Sequence, residues 1–121
     1  MGDVVAYYGE KFVIEYATCI NGTCPAKEFY ASLPEIDQTK LMALFALMGD
    51  QGAIRNKEKF KKIEGSDYFA FKSFQVRIIC RFQAGRRLIL LCGLRKKQDR
   101  YPPTEIERAN RIFEEHKGRQ A

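Results

Sequence analysis

Three apolar runs placed close together constrain the fold of this chain more than any other feature of its sequence. Residues 67–72, 75–82 and 88–94 are rich in Phe, Ile, Leu and Val, and the connections between them are short, the second containing Gly85. Strands so closely spaced pair as antiparallel neighbours, because a parallel return needs a crossover of a dozen residues or more. The expectation is an antiparallel meander. Period-two alternation puts Phe69, Phe71, Val76, Ile78, Cys80 and Phe82 on one face and Lys72, Arg77 and Arg81 on the other. The first face reads as core and the second as open and cationic, which leaves Arg77 and Arg81 without a folding role.

The elements around this meander follow from local chemistry. Residues 4–16 are rich in Val, Ile, Tyr and Phe, with Gly9-Glu10 as a turn candidate, so they form either one strand or a hairpin. Asn21-Gly22 marks a turn, and Pro25 suits the first turn of a helix over residues 25–33, where its missing N–H has no intrahelical partner. Ala26, Phe29, Tyr30 and Leu33 give that helix one apolar stripe. Pro34 separates it from a second helix over residues 35–48, whose stripe is Leu41, Leu44, Phe45 and Met48 and whose stop signals are Gly49 and Gly52. The two helices should form an antiparallel hairpin. Arg55 to Lys62 holds five basic residues in eight and reads as a solvated loop or the entry to a strand. At the C-terminus, Thr104 and Glu107 have the spacing of a capping box, opening a helix with Ile106, Ala109 and Phe113 on one side. With 121 residues and no repeat or linker, residues 1–121 are expected to be one α+β domain.

Charge is distributed unevenly. Residues 1–54 carry three Lys/Arg against seven Asp/Glu, and the remainder carries eighteen against eight. Concentrated positive charge attracts a polyanion through phosphate contacts and counterion release. No basic leader precedes the first apolar run and no apolar stretch reaches the ~20 residues of a membrane span, so a cytoplasmic location and reduced cysteines are expected, with no membrane partner. Cys19 and Cys24 lack the tight pairing of a zinc site, and Cys80 and Cys92 lie in apolar runs as small buried hydrophobes. No metal and no cofactor are expected. His116 is the sole histidine and no Gly-x-x-x-x-Gly-Lys loop occurs, so neither a histidine-based triad nor a nucleotide-binding loop is expected.

Any catalysis must therefore rest on Arg, Lys and Tyr. Such groups orient a ribose 2′-hydroxyl, stabilise the negative charge of a pentavalent phosphorane and move a proton. Arg77 and Arg81 are candidates from the open face. Arg95, Lys96 and Lys97 follow directly on an apolar strand, and with Arg100 they make a cationic rim. Tyr101, ahead of Pro102-Pro103, is placed to stack on a base, transfer a proton or pack against the last helix.

Tyr68-Phe69-Ala70-Phe71-Lys72, then Arg77, then the apolar run over residues 88–97 ending in Lys96-Lys97, then Pro103-Thr104-Glu105-Ile106 with Ala109, occur in a characteristic order. Across residues 12–113 this order resembles the HigB-like, phage-associated branch of the RelE/ParE toxin superfamily. The resemblance implies a RelE-like fold: N-terminal strand or strands and a helical hairpin packed on the meander, closed by a C-terminal helix. It also implies the toxin of a type II toxin–antitoxin module, a ribosome-dependent endoribonuclease that cuts mRNA in the ribosomal A site, with a helical, DNA-binding antitoxin as partner. Arg77 would contact or activate the scissile phosphate, and Lys96 and Lys97 would stabilise the transition state, with Tyr101 beside them. Lys72 stands where an Arg is usual and Ala70 where a Glu is usual. The lysines that RelE carries in the first meander strand fall at Tyr68 and Ala70, and Lys59, Lys61 and Lys62 are the candidates to replace them. Lys59, Lys61, Lys62, Lys72, Arg81, Arg95 and Arg100 form the expected RNA-binding set. The same fold also serves ParE-like inhibitors of DNA gyrase, and a non-catalytic phage-derived domain binding RNA or protein is a third reading.

Overall fold

The computed structural model describes residues 4–96 and 100–120. Strands β1 (Val5–Tyr8) and β2 (Val13–Tyr16) form an antiparallel hairpin, which settles the question left open for the N-terminus. Helices α1 (Pro25–Ser32) and α2 (Glu35–Gln51) follow, then β3 (Phe60–Lys62), β4 (Phe69–Ser73), β5 (Val76–Gln83), β6 (Arg87–Arg95) and α3 (Pro103–Gln120). The expected meander is present as β4–β5–β6 within a six-stranded sheet of order β1-β2-β6-β5-β4-β3. β2 lies parallel to β6, so the sheet is mixed, and the basic segment supplies β3 as an edge strand beside β4. The fold is α+β and RelE-like.

The open cationic face does not exist as expected, because helices cover both faces of the sheet. On one face, Phe71, Val76, Ile78, Cys80, Leu88 and Leu90 pack with Ala26 and Leu33 of the α1 region and Leu41, Phe45 and Met48 of α2. On the other, Ala70, Ile79, Ile89, Leu91 and Cys92 pack with Ala109, Ile112 and Phe113 of α3. A strand buried on both sides reads as a continuous apolar run, and residues 88–92 of β6 are such a run. The register of β5 against β6 shifts between Ile79 and Cys80, which pair with Cys92 and Leu90 and leave Leu91 as the extra residue of a bulge.

Close backbone approaches explain two glycines. Gly49 is not a helix stop: α2 continues to Gln51 and ends at Gly52, whose φ of 80° is the left-handed cap. The carbonyl of Gly49 instead accepts the N–H groups of Lys11 and Phe12 at 2.7 and 3.0 Å, and a Cβ there would meet the Tyr7 ring at 2.8 Å. A Cβ at Gly93 would stand 2.0 Å from a ring carbon of Phe29, so this glycine lets α1 seat on β6. Thr104 is not an N-cap either, since α3 opens at Pro103 and Thr104 lies inside its first turn.

An aromatic chain ties the layers together on the α1–α2 side. Phe12, Phe82, Phe69, Phe60, Phe71 and Phe45 follow one another with ring centroids 4.9 to 5.3 Å apart. Phe60 thereby anchors the short edge strand β3 and holds its lysines beside β4. At the far end of the sheet the Nδ1 of His116 accepts the Thr18 N–H at 3.0 Å, and Glu115 accepts the Ile20 N–H at 3.0 Å, fastening α3 to the loop after β2. Burial lowers the basicity of His116, reinforced by the charge of Arg87, and it raises the thiol of Cys92 to about 11. All four cysteines are free thiols, with Cys80 and Cys92 buried as expected.

Candidate functional site

α3 leaves part of its face of the sheet uncovered near β3 and the β4–β5 turn. A cleft of about 470 Å³ opens there. Seven cations line it, Lys57, Lys61, Lys62, Lys72, Arg77, Lys96 and Arg100, against two carboxylates, Glu58 and Glu64, with Tyr101 and Ile63 completing the wall. Such a concave surface of one sign concentrates a field that attracts anions.

The backbone positions these groups. Lys72 on β4 pairs directly with Arg77 on β5, so two cations face each other across neighbouring strands. Like charges so placed cost stability, by about 0.2–1 kcal/mol, and nothing in folding calls for them. Arg77 is only 8% exposed, which corrects the expectation of an open-face side chain. Its Nη1 donates to the carbonyls of Phe74 and Val76, while its Nε is buried with no acceptor among the described residues. One edge of the guanidinium is thus tied to the β4–β5 turn, and the residue is part of the cleft lining. The Lys96 N–H donates to the Gln75 carbonyl at 2.8 Å, which holds the segment after β6 on the same turn. Its ammonium lies 3.6 Å from the centre of the Tyr101 ring, and Tyr101 also packs against the α3 core. The Nζ of Lys72 reaches the Lys57 carbonyl at 3.4 Å, linking β4 to the segment before β3.

Of the residues singled out in the sequence, Arg77, Lys96, Tyr101, Lys61, Lys62, Lys72 and Arg100 meet in this cleft. Three others do not line it. Arg81 lies over the Phe113 and Tyr68 rings at 4.5 and 5.7 Å and faces Asp67 at 4.0 Å. Arg95 faces Asp37 of α2 at 3.8 Å, and Lys59 is exposed beside the cleft. Lys97 lies outside the described residues. Lys57 was missed, although it belongs to the basic run; only the turn that Asn56 makes, accepting the Lys59 and Phe60 N–H groups, brings it back toward Lys72. A second, more apolar hollow of about 680 Å³ lies beside Met48, Ile54, Phe60, Phe69 and Phe82 and shares Lys57, Lys61 and Lys62 with the cleft.

Residues 28–114 match the family model described as "Phage derived protein Gp49-like (DUF891)". The chain belongs to this Gp49-like family. The matched region includes every residue that lines the cationic cleft. The Gp49-like family is part of the RelE/ParE-like toxin superfamily, so the resemblance read from the sequence holds at that level, and membership is compatible with a toxin of a toxin–antitoxin module. No curated protein matches the chain.

Proposed function

We propose that this Gp49-like protein is the toxin of a type II toxin–antitoxin module, acting in the cytoplasm as a ribosome-dependent mRNA endoribonuclease of the HigB-like kind. The observation that carries the reading is the cluster around Arg77: a buried guanidinium whose Nε has no acceptor among the described residues, opposed by Lys72, in a cleft lined by five further cations. Cleavage of RNA by its own 2′-hydroxyl forms the O2′–P bond, breaks the P–O5′ bond and places extra negative charge on the phosphoryl oxygens between those events. Fixed cations aimed at that charge lower the barrier without reorganising during reaction. Arg77 is assigned the scissile phosphate, Lys72, Lys96 and Lys97 the developing charge, and Tyr101 a proton or a base. Lys57, Lys61, Lys62 and Arg100 hold neighbouring phosphates. A helical, DNA-binding antitoxin is the partner expected to neutralise the cleft.

Primer extension on a reporter mRNA in a reconstituted translation system tests this, with ribosome-free RNA run in parallel. Codon-phased cuts appearing only on translating ribosomes support the reading. Intact mRNA together with blocked supercoiling by gyrase would replace it with the ParE-like activity, and no effect on either would leave a binding domain.

A further inference from the structure

The turn that joins β4 to β5 carries a residue whose backbone and exposure both run against folding. Phe74 has φ of 54°, in the left-handed region where two-residue turns ordinarily place Gly or Asn. A bulky residue is strained there, and its ring gains little burial in return, being 73% exposed. The other non-glycine at positive φ among the described residues, Arg86 at 58°, uses its side chain to donate to the Glu10 carbonyl. Phe74 instead presents a flat apolar surface with the Lys40 ammonium 4.0 Å from its centroid on one side. Its carbonyl accepts from Arg77, so the ring and the cleft's central guanidinium are fixed to one another through the same turn. The flanking residues Lys72 and Arg77 both line the cleft, and Lys96 is hydrogen-bonded to the next residue, Gln75.

A strained, exposed aromatic ring with a lysine ammonium over one side, on a turn whose flanking residues Lys72 and Arg77 line the cleft, suits an unpaired nucleobase. Every base has a π-face, and the phosphates that flank a stacked base need positive charge within reach. We propose that Phe74 is a base-stacking platform for single-stranded RNA, holding one unpaired base at the sheet end while the adjoining backbone enters the cleft beside Arg77. The inference rests on the cleft binding RNA and adds to it a residue that sets the position of the strand. Lys40 lies on the side of the ring turned to α2 and supplies charge for a phosphate next to the stacked base.

The test uses the full chain and a single-stranded RNA oligonucleotide carrying 2-aminopurine, whose fluorescence is quenched when it stacks, at successive positions. Wild type should bind and quench the probe at one favoured position. Phe74→Gly should weaken Kd by about tenfold and abolish that quenching, while its melting temperature rises because glycine accepts the positive φ. Phe74→Trp should retain both binding and quenching. Lys72→Ala should keep the quenching but lower the slope of log Kd against log salt by about one. Unchanged Kd and quenching in Phe74→Gly would overturn the platform while a reduced slope in Lys72→Ala left the RNA cleft standing. Absence of salt-dependent binding by wild type would overturn both.

Discussion

Replacing Arg77 with alanine should cost both stability and activity, and the stability loss can be worked from the structure. The guanidinium donates to two carbonyls, those of Phe74 and Val76. Hydrogen bonds from a charged donor contribute about 1.5–3 kcal/mol each. Two offsets apply. Alanine removes a buried Nε that has no acceptor among the described residues, recovering about 1–3 kcal/mol of desolvation, and it relieves about 0.2–1 kcal/mol of repulsion from Lys72 across the strands. The balance is a net loss of about 1–3 kcal/mol. At roughly 2.1 cal/mol/K per residue, 121 residues give an unfolding entropy of about 250 cal/mol/K, so each kcal/mol moves Tm by about 4 °C. Arg77→Ala should therefore melt about 4–12 °C below wild type by circular dichroism. Codon-phased cleavage, assayed well below both melting temperatures, should fall by at least about a hundredfold if Arg77 stabilises the phosphorane. Arg77→Lys should recover part of the melting temperature but little of the cleavage, because an ammonium lacks the planar fork that reaches carbonyl and phosphate together. A melting temperature within about 1 °C of wild type for Arg77→Ala would refute the claim that this buried side chain holds the turn.

Three further outcomes follow from the same structure. Lys72→Ala should move the other way, raising Tm by up to about 4 °C as the facing cation disappears while cleavage drops by at least about tenfold; thermal melts and primer extension on one preparation check it. Gly93→Ala should destabilise by about 1–3 kcal/mol in urea titration, since its Cβ would stand 2.0 Å from the Phe29 ring, and pairing it with Phe29→Leu should recover part of the loss. His116 is held below its ordinary 6.5 by burial and by the charge of Arg87, so the unfolded chain takes up a proton that the folded chain refuses. Stability is then lost as pH falls below about 6.5 toward the folded value, and His116→Asn, whose carbonyl can still accept the Thr18 N–H, should flatten the fall in Tm between about pH 7 and 5.

Much of the fold was legible because its elements obey one period at a time. Phe69, Phe71, Val76, Ile78 and Cys80 recur at every second position in β4 and β5, and the stripes of α1 and α2 repeat at helical spacing, so the face they share followed from residues such as Phe45, Phe71 and Ile78. What alternation hid was the second apolar face. Ile79 sits between Arg77 and Arg81 and reads as an isolated exception until Ile89, Leu91, Ile112 and Phe113 are seen to meet it. The unbroken apolar run at residues 88–92, set against the α3 stripe, was the available signal that this face also needed a cover. In the cleft, charge counting found most of the lining residues. It did not separate Arg95 and Arg81, whose partners Asp37, Tyr68 and Phe113 lie far along the chain, from Lys57, which only the Asn56 turn brings in.

The burial of Arg77 was illegible for a different reason, and that reason bears on function. Its depth depends on a turn whose residues defy local preference: Phe74 at positive φ, with a carbonyl to which the Arg77 side chain reaches back to donate. Sequences that fold well agree with themselves at every level, and departures that folding does not require tend to mark sites kept for another purpose. Here three departures converge on one end of the sheet. They are facing cations at Lys72 and Arg77, a buried Nε without an acceptor among the described residues, and a strained exposed ring at Phe74. Each lowers stability alone, yet a phosphodiester in the cleft would answer the first, screening the facing charges of Lys72 and Arg77. RNA should accordingly raise Tm more in wild type than in Lys72→Ala, because only wild type carries the full repulsion that the bound phosphate relieves.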